Sequence, residues 1–108
     1  MVTTSRQCQT VFRAIADPTR REILGLLRTG GRSVGHIAAN FRTSRPAISK
    51  HIRLLRLAGL VATQKRGAAR ICRLNARPLR AIDLWLRDYH QFWNESLANL
   101  KKYVEENS

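Results

Sequence analysis

The stretch SRPAISKHIRLLRLAGLV, residues 44–61, predicts an amphipathic helix that is followed by the start of a strand. Ser44 is a favourable N-cap, and Pro46 falls in the first turn, where its missing N–H costs little. The apolar side has helical spacing and consists of Ile48, Ile52 and Leu55. The opposite side is polar and basic and consists of Arg45, Ser49, Lys50 and Arg53. Gly59 is suited to a left-handed C-cap, so the helix is expected over about residues 45–58.

The segments on either side of this helix complete a recognisable arrangement. Upstream, Ser33 can cap a short helix that ends near Asn40, and its apolar stripe is Val34, Ile37, Ala38 and Phe41. Downstream, the period changes from helical to strand-like over residues 60–66 and 70–74, with a glycine-bearing turn between them. A helix, a tight turn, a second helix and a basic hairpin together predict a winged helix-turn-helix.

The whole chain, residues 1–108, fits one mainly α-helical domain with the element order α-α-α-α-β-β-α. The helix-turn-helix is expected at about residues 33–58 and the wing at 60–74. A short first helix is predicted over Gln9–Ile15, with Val11 and Phe12 among its apolar residues. A second helix begins at Asp17-Pro18 and ends at Gly30-Gly31.

A long last helix is predicted over about residues 78–104. Apolar side chains recur along it at spacings of three and four: Leu79, Ile82, Leu86, Tyr89, Trp93, Leu97, Leu100 and Val104. Such a seam is typical of a helix that packs along another helix over many turns. It is longer than a small domain needs to cover itself, so we expect a homodimer.

Charge is distributed very unevenly along the sequence. The chain has 20 Lys and Arg against 7 Asp and Glu, and no acidic residue lies between Glu22 and Asp83. Because 44% of the residues are hydrophobic and fall at regular spacing, a disordered basic tail is excluded. A folded surface with one charge sign favours a polyanionic partner, and double-stranded DNA is the polyanion we expect. A non-specific or architectural DNA-coating protein is the alternative that charge alone leaves open.

The sequence gives little support for a membrane protein, a secreted protein or an enzyme. No apolar stretch is long enough for a membrane span or a secretory signal, so the protein is expected in the cytoplasm with no membrane partner. Ser49, His51 and Cys72 are possible reactive groups, but no Asp or Glu near them in sequence could orient the histidine, and no enzyme is expected. Cys8 and Cys72 are expected to be free thiols.

Helix-turn-helix geometry assigns roles to the basic residues. Arg45, at the start of the second helix, is the candidate for reading a base, while Pro46 serves first to initiate the helix. His51 has two open roles, which are a phosphate contact and packing on the preceding helix. The full predicted DNA-binding set is Arg42, Thr43, Ser44, Arg45, Pro46, Ser49, Lys50, His51, Arg53, Lys65, Arg66 and Arg70.

Two longer motifs resemble a known family. They are ADPTRREIL at residues 16–24, and SRPAISKHIRLL with AGLV at residues 44–55 and 58–61. Together they strongly resemble the ArsR family of bacterial winged helix-turn-helix repressors, over about residues 9–100. The resemblance implies a homodimer that pairs through its first and last helices and binds inverted-repeat operators near its own promoter. The implied interface residues are Val11, Phe12, Leu86, Tyr89, Trp93, Leu97 and Leu100.

The sequence departs from the metal-sensing members of that family. Their Cys-x-Cys motif is replaced here by residues 33–36, Ser-Val-Gly-His. Asp88 and His90 reproduce half of a second known site, but its other half falls at Lys101 and Val104, which cannot serve as ligands. No metal and no cofactor are therefore expected. A metal-responsive or thiol-redox-responsive repressor stays an alternative, and the effector is unknown.

Overall fold

The computed structural model describes residues 2–107, and it describes the side chains of residues 6–95 and 97–107. In this part of the chain the elements are α1 (Val2–Ile15), α2 (Pro18–Leu26), β1 (Arg32–Ser33), α3 (Val34–Ala38), α4 (Arg45–Leu57), β2 (Val61–Arg66), β3 (Ala69–Leu74) and α5 (Arg80–Glu106). Short 3-10 turns cover Leu27–Thr29 and Arg77–Leu79. The prediction of a mainly helical winged helix-turn-helix is confirmed.

Side-chain caps begin three of the helices where the sequence placed them. The Asp17 carboxylate accepts a hydrogen bond from the backbone N–H of Arg20 at 3.0 Å, at the start of α2. The Ser33 hydroxyl accepts from the N–H of His36 at 3.0 Å. The Ser44 hydroxyl accepts from the N–H of Ala47 at 3.3 Å. Each cap satisfies one backbone donor that a helix start leaves unpaired.

The wing is part of a three-stranded antiparallel sheet in the order β1-β3-β2. The predicted two-stranded hairpin is present, with Gly67 at a positive φ of 57° in its turn. The sequence analysis missed β1, because a strand of two residues has no periodicity and Ser33 also serves as a helix cap. β1 ties the start of α3 to the wing, with Arg32 opposite Cys72 and Ser33 opposite Ile71.

One apolar core joins α1, α2, α3, α4 and the sheet. Its buried members are Val11, Ala14, Ile23, Leu24, Leu27, Ile37, Ile48, Ile52, Leu55, Leu60, Val61 and Cys72. The three α4 residues in this list are the predicted apolar side of that helix, and that prediction is confirmed. Because these residues bury one side of α4, the opposite side of the helix is left at the surface.

Three predictions about the outer helices need correction. α1 begins at Val2 rather than near Gln9, because its polar first half carries no apolar stripe that periodicity could detect. α5 begins at Arg80, because the preceding residues around Pro78 form a 3-10 turn. Val11 was expected at the dimer interface, but its side chain is fully buried in the core of the monomer.

The outer half of α5 lies at the surface of the part of the chain that the structure describes. Beyond His90, every described side chain of this 27-residue helix is exposed. The large apolar side chains among them are Phe92, Trp93, Leu97, Leu100, Tyr103 and Val104, and Trp85 and Tyr89 in the preceding turns are also partly exposed. No helix among the described residues, α5 included, is both long and apolar enough to cross a membrane.

Candidate nucleic-acid interface

The exposed side of α4 carries the polar residues that the sequence analysis singled out. Arg45, Ser49, Lys50 and Arg53 are all exposed, and Pro46 is exposed in the first turn. Arg42 and Thr43, which are also exposed, lie in the turn that connects α3 to α4. The first turns of α4 therefore present a guanidinium, an ammonium and hydroxyl groups to the solvent.

A trough runs between α4 and the wing. One part has a volume of about 460 Å³ and is lined by Ser33, Val34, Gly35, Arg45, Ser49, Ala68, Ala69 and Arg70. A second part of about 230 Å³ is lined by Val34, Ser49, Ile52, Arg53, Arg56, Thr63 and Arg70. The two parts share Val34, Ser49 and Arg70, so side chains of the helix and the wing border the same space. We call this space the α4–wing trough.

The charge of the α4–wing trough is entirely positive. Four arginines line it, from α4 and from β3, and its other side chains are neutral. Among the described residues, no ion pair with a carboxylate involves a Lys or Arg between Glu22 and Asp83. The trough thus offers guanidinium donors without a competing internal anion, which suits oxygens of a phosphate backbone.

The wing itself places two cations directly opposite each other. Lys65 on β2 pairs with Arg70 on β3 in the register of the hairpin, and Arg66 follows beside the turn. Like charges directly across a ladder destabilise it. This local cost is removed when the pair meets a polyanion, so the hairpin tip is a second anion-facing surface beside the trough.

The sequence analysis assigned no role to Arg20, and the structure shows that its side chain connects two helices. Its guanidinium binds two backbone oxygens at the end of α1 and lies 3.2 Å from Nδ1 of His51 on α4. His51 thus contacts a residue of α2, whereas the helix directly before α4 is α3, and its phosphate contact stays a prediction. Arg20 lies in the motif at residues 16–24 and His51 in the motif at residues 44–55, so both were in view as parts of the family resemblance. Sequence spacing could not show that the two side chains meet.

Arg32 makes its contacts within the fold. Its guanidinium donates to the Leu26 carbonyl at 2.9 Å and to the Thr29 hydroxyl at 3.1 Å. It also lies 3.0 Å from Nε2 of His36. Arg32 therefore closes the loop between α2 and α3, and it differs from the arginines of the trough in having these partners.

The two thiols are in different surroundings, and neither is in a disulfide. Cys72 lies on β3 and is fully buried, as expected for a strand cysteine. Burial raises the pKa of its thiol, against the opposite effect of Arg70 and Arg56. Cys8 is half-buried on α1 and its thiol donates to the Ala81 carbonyl at 3.3 Å. A raised pKa disfavours the reactive thiolate at Cys72.

The possible half-site for a metal does not gain further ligands in the fold. In the described part of the chain, no three His, Cys, Asp or Glu side chains lie together as a metal-binding group. The ring of His90 instead packs against Trp93, with 5.2 Å between the centroids. The donor set at Asp88 and His90 is thus too small for a structural site.

The fold and the basic trough beside an exposed recognition helix define a DNA-binding protein of the winged helix-turn-helix class. A helix-turn-helix domain model matches residues 15–64. The transcriptional repressor SdpR of Bacillus subtilis is 38% identical over 79 residues, which cover 73% of this chain and 88% of that protein. Solved structures that are 36% and 32% identical to this chain over 83% and 93% of its length are an ArsR family regulator and an ArsR-like regulator. The chain belongs to the ArsR family of transcriptional regulators, whose members are DNA-binding proteins and not enzymes.

Solved structures agree with this assignment. The crystal structure of an ArsR family transcriptional regulator gives a TM-score of 0.76 at 36% identity, covering 83% of this chain and 93% of the other. A solution structure of a homodimeric winged helix-turn-helix DNA-binding domain from Mycobacterium bovis gives a TM-score of 0.68 at 27% identity. The match covers 83% of this chain and 86% of that domain.

Proposed function

We propose that this transcriptional regulator is a homodimeric repressor that recognises an inverted-repeat operator. The observation that carries the proposal is the α4–wing trough, where an exposed helix and a basic hairpin border one space without a carboxylate. Such a surface can meet two grooves of one duplex and the phosphate strand between them. A repressor acts by occupying DNA, so no catalytic group is needed.

The two sides of the trough have different tasks in this proposal. The first turns of α4 enter the major groove, where Arg45 donates to a base edge and Ser49 lies one turn further along the same side. Arg42, Thr43 and the Ser44 hydroxyl lie before the helix and bind phosphates, together with Lys50 and Arg53. The wing residues Lys65, Arg66 and Arg70 bind the flanking backbone or minor groove.

The exposed apolar face of α5 supports the homodimer. Trp93, Leu97 and Leu100 are 42%, 61% and 59% exposed, although they lie at helical spacing along one side. Soluble monomers seldom expose continuous apolar surface of this kind. A second copy covers the face and places two recognition helices on two half-sites about one helical turn of DNA apart.

Selection from a random pool of duplexes at near-physiological salt tests the proposal. We expect an enriched inverted repeat, and in anisotropy titrations it should bind on the order of a thousandfold more tightly than its scrambled version. A single half-site in the same length of duplex is the matched control, and it should bind much more weakly. Equal affinity for every duplex would instead establish the DNA-coating alternative.

Replacing Lys65 by Ala should weaken binding to the operator and to scrambled DNA by the same factor. The side chain lies on the wing, opposite Arg70, where it can neutralise a phosphate, and it is not part of the α4 turns that are proposed to read bases. Loss of one phosphate contact should lower the slope of log affinity against log salt by about one. Titrations at four salt concentrations measure this slope. A loss confined to the operator would move Lys65 to the base-reading group.

A further inference from the structure

The Arg20 side chain joins two helices that the sequence separates widely. Its Nε donates to the Ala14 carbonyl at 2.6 Å, and its Nη2 donates to the Arg13 carbonyl at 2.9 Å. Its Nη1 lies 3.2 Å from Nδ1 of His51. All three nitrogens of the planar guanidinium are therefore used, two of them on the end of α1 and one on α4.

The neighbouring Arg21 offers a natural comparison. Its Nη1 donates to the Ile15 carbonyl at 2.7 Å and to the Ala16 carbonyl at 3.1 Å. Both arginines thus donate to carbonyls around the C-terminal end of α1, where a helix lacks intrahelical donors. Among the described contacts, only Arg20 also reaches the recognition helix.

The geometry of the contact selects one tautomer of the histidine for a hydrogen bond. A guanidinium has donors and no acceptor, so a hydrogen bond here requires Nδ1 of His51 as the acceptor, with a ring proton on Nε2. The Asp17 carboxylate lies 3.8 Å from the same Nδ1, which is too far for a hydrogen bond. That carboxylate is itself held by the backbone N–H of Arg20, which is the main reason that the pKa of Asp17 is lowered.

The other side of α1 contacts the helix that carries the proposed dimer face. Phe12 packs edge-on against Trp85 of α5, with 5.3 Å between the ring centroids. The Cys8 thiol donates to the Ala81 carbonyl of α5. Contacts therefore continue from α5 through α1 and Arg20 to His51 on α4.

We infer that Arg20 is a positioning residue for operator recognition, because its guanidinium holds α4 at a fixed orientation to α1 and α5. In a dimer built on α5, that orientation sets the separation of the two recognition helices. The inference rests on the proposed homodimeric function. Its physical basis is the rigid, planar fork of the guanidinium, which fixes direction in a way that the single ammonium of lysine cannot.

The test compares Arg20→Lys with Arg21→Lys, since both keep the charge and only the first alters a contact to α4. Anisotropy titrations use the selected operator, the same operator with one base pair added or removed between half-sites, and scrambled DNA. Arg20→Lys should lose about tenfold in affinity for the operator and should discriminate less between spacings. Its affinity for scrambled DNA should stay unchanged, and Arg21→Lys should resemble the wild type throughout.

A second pair of variants tests the acceptor atom, Nδ1 of His51. This pair keeps the inference testable if Arg20→Lys fails to fold. His51→Asn keeps an acceptor near the position of Nδ1, whereas His51→Leu removes it, and both lose Nε2. The Asn variant should keep the spacing preference that the Leu variant loses. Wild-type spacing preference in Arg20→Lys, or equal behaviour of the two His51 variants, would overturn the inference. A wild type without any preferred operator would instead refute the proposed function.

Discussion

Replacing Leu97 by Asp is expected to turn a dimer into a monomer. Leu97 is 61% exposed in the outer half of α5, on the side that also carries Trp93 and Leu100. A carboxylate there would have to be buried without a partner when two such faces meet, and an unpaired buried charge costs several kcal/mol, about 3–5 in measured cases. Sedimentation velocity at micromolar protein measures the change in mass.

The matched control is Leu84→Asp. Leu84 is 48% exposed on the same helix, but its sequence position places it on the side opposite the apolar seam. This variant should stay dimeric. If Leu97→Asp also stayed dimeric, or if both variants dissociated, the outer face of α5 would not be the specific interface.

Operator binding should change in parallel with the mass. A dimer that engages two half-sites gains affinity because binding of the second helix becomes intramolecular, and such gains are on the order of 100-fold to 10,000-fold. Leu97→Asp should lose most of this gain on the full operator. It should bind a duplex with one half-site as the wild type does, which separates loss of pairing from damage to the DNA-binding surface.

Replacing Arg45 by Ala should produce the second large effect, a loss of sequence discrimination. Arg45 lies at the first position of α4 and borders the α4–wing trough, with its guanidinium beside Gly35. A bidentate contact from arginine to guanine contributes about 1–3 kcal/mol of discrimination. Titration of the operator with all four base pairs at each position should show the preference relaxed at one position in each half-site.

Lys65→Ala is the comparison for this result. Both variants remove one positive charge, so both should show a smaller salt dependence. Only Arg45→Ala should change the ranking of sequences. If the two variants weakened every duplex by the same factor, α4 would act as an anchor, and base reading would have to be assigned to other residues of the trough.

Local patterns in the sequence were sufficient for most of the fold. The caps at Asp17, Ser33 and Ser44, and the positive φ at Gly59, depend on interactions within a few residues. The apolar side of α4 follows from a period of 3.6 residues and needs no knowledge of what covers it. The long segment without Asp or Glu likewise predicted a basic surface, because unpaired Lys and Arg side chains stay in contact with solvent when the chain folds.

Only the tertiary structure could decide the features that depend on partners far along the chain. β1 exists because Arg32 and Ser33 pair with a strand about forty residues later. Val11 is in the core rather than at an interface because α1 is covered by its own chain. The contact between Arg20 and His51 joins residues 31 positions apart. Spacing rules describe one element at a time, whereas the packing of elements determines which side chains meet.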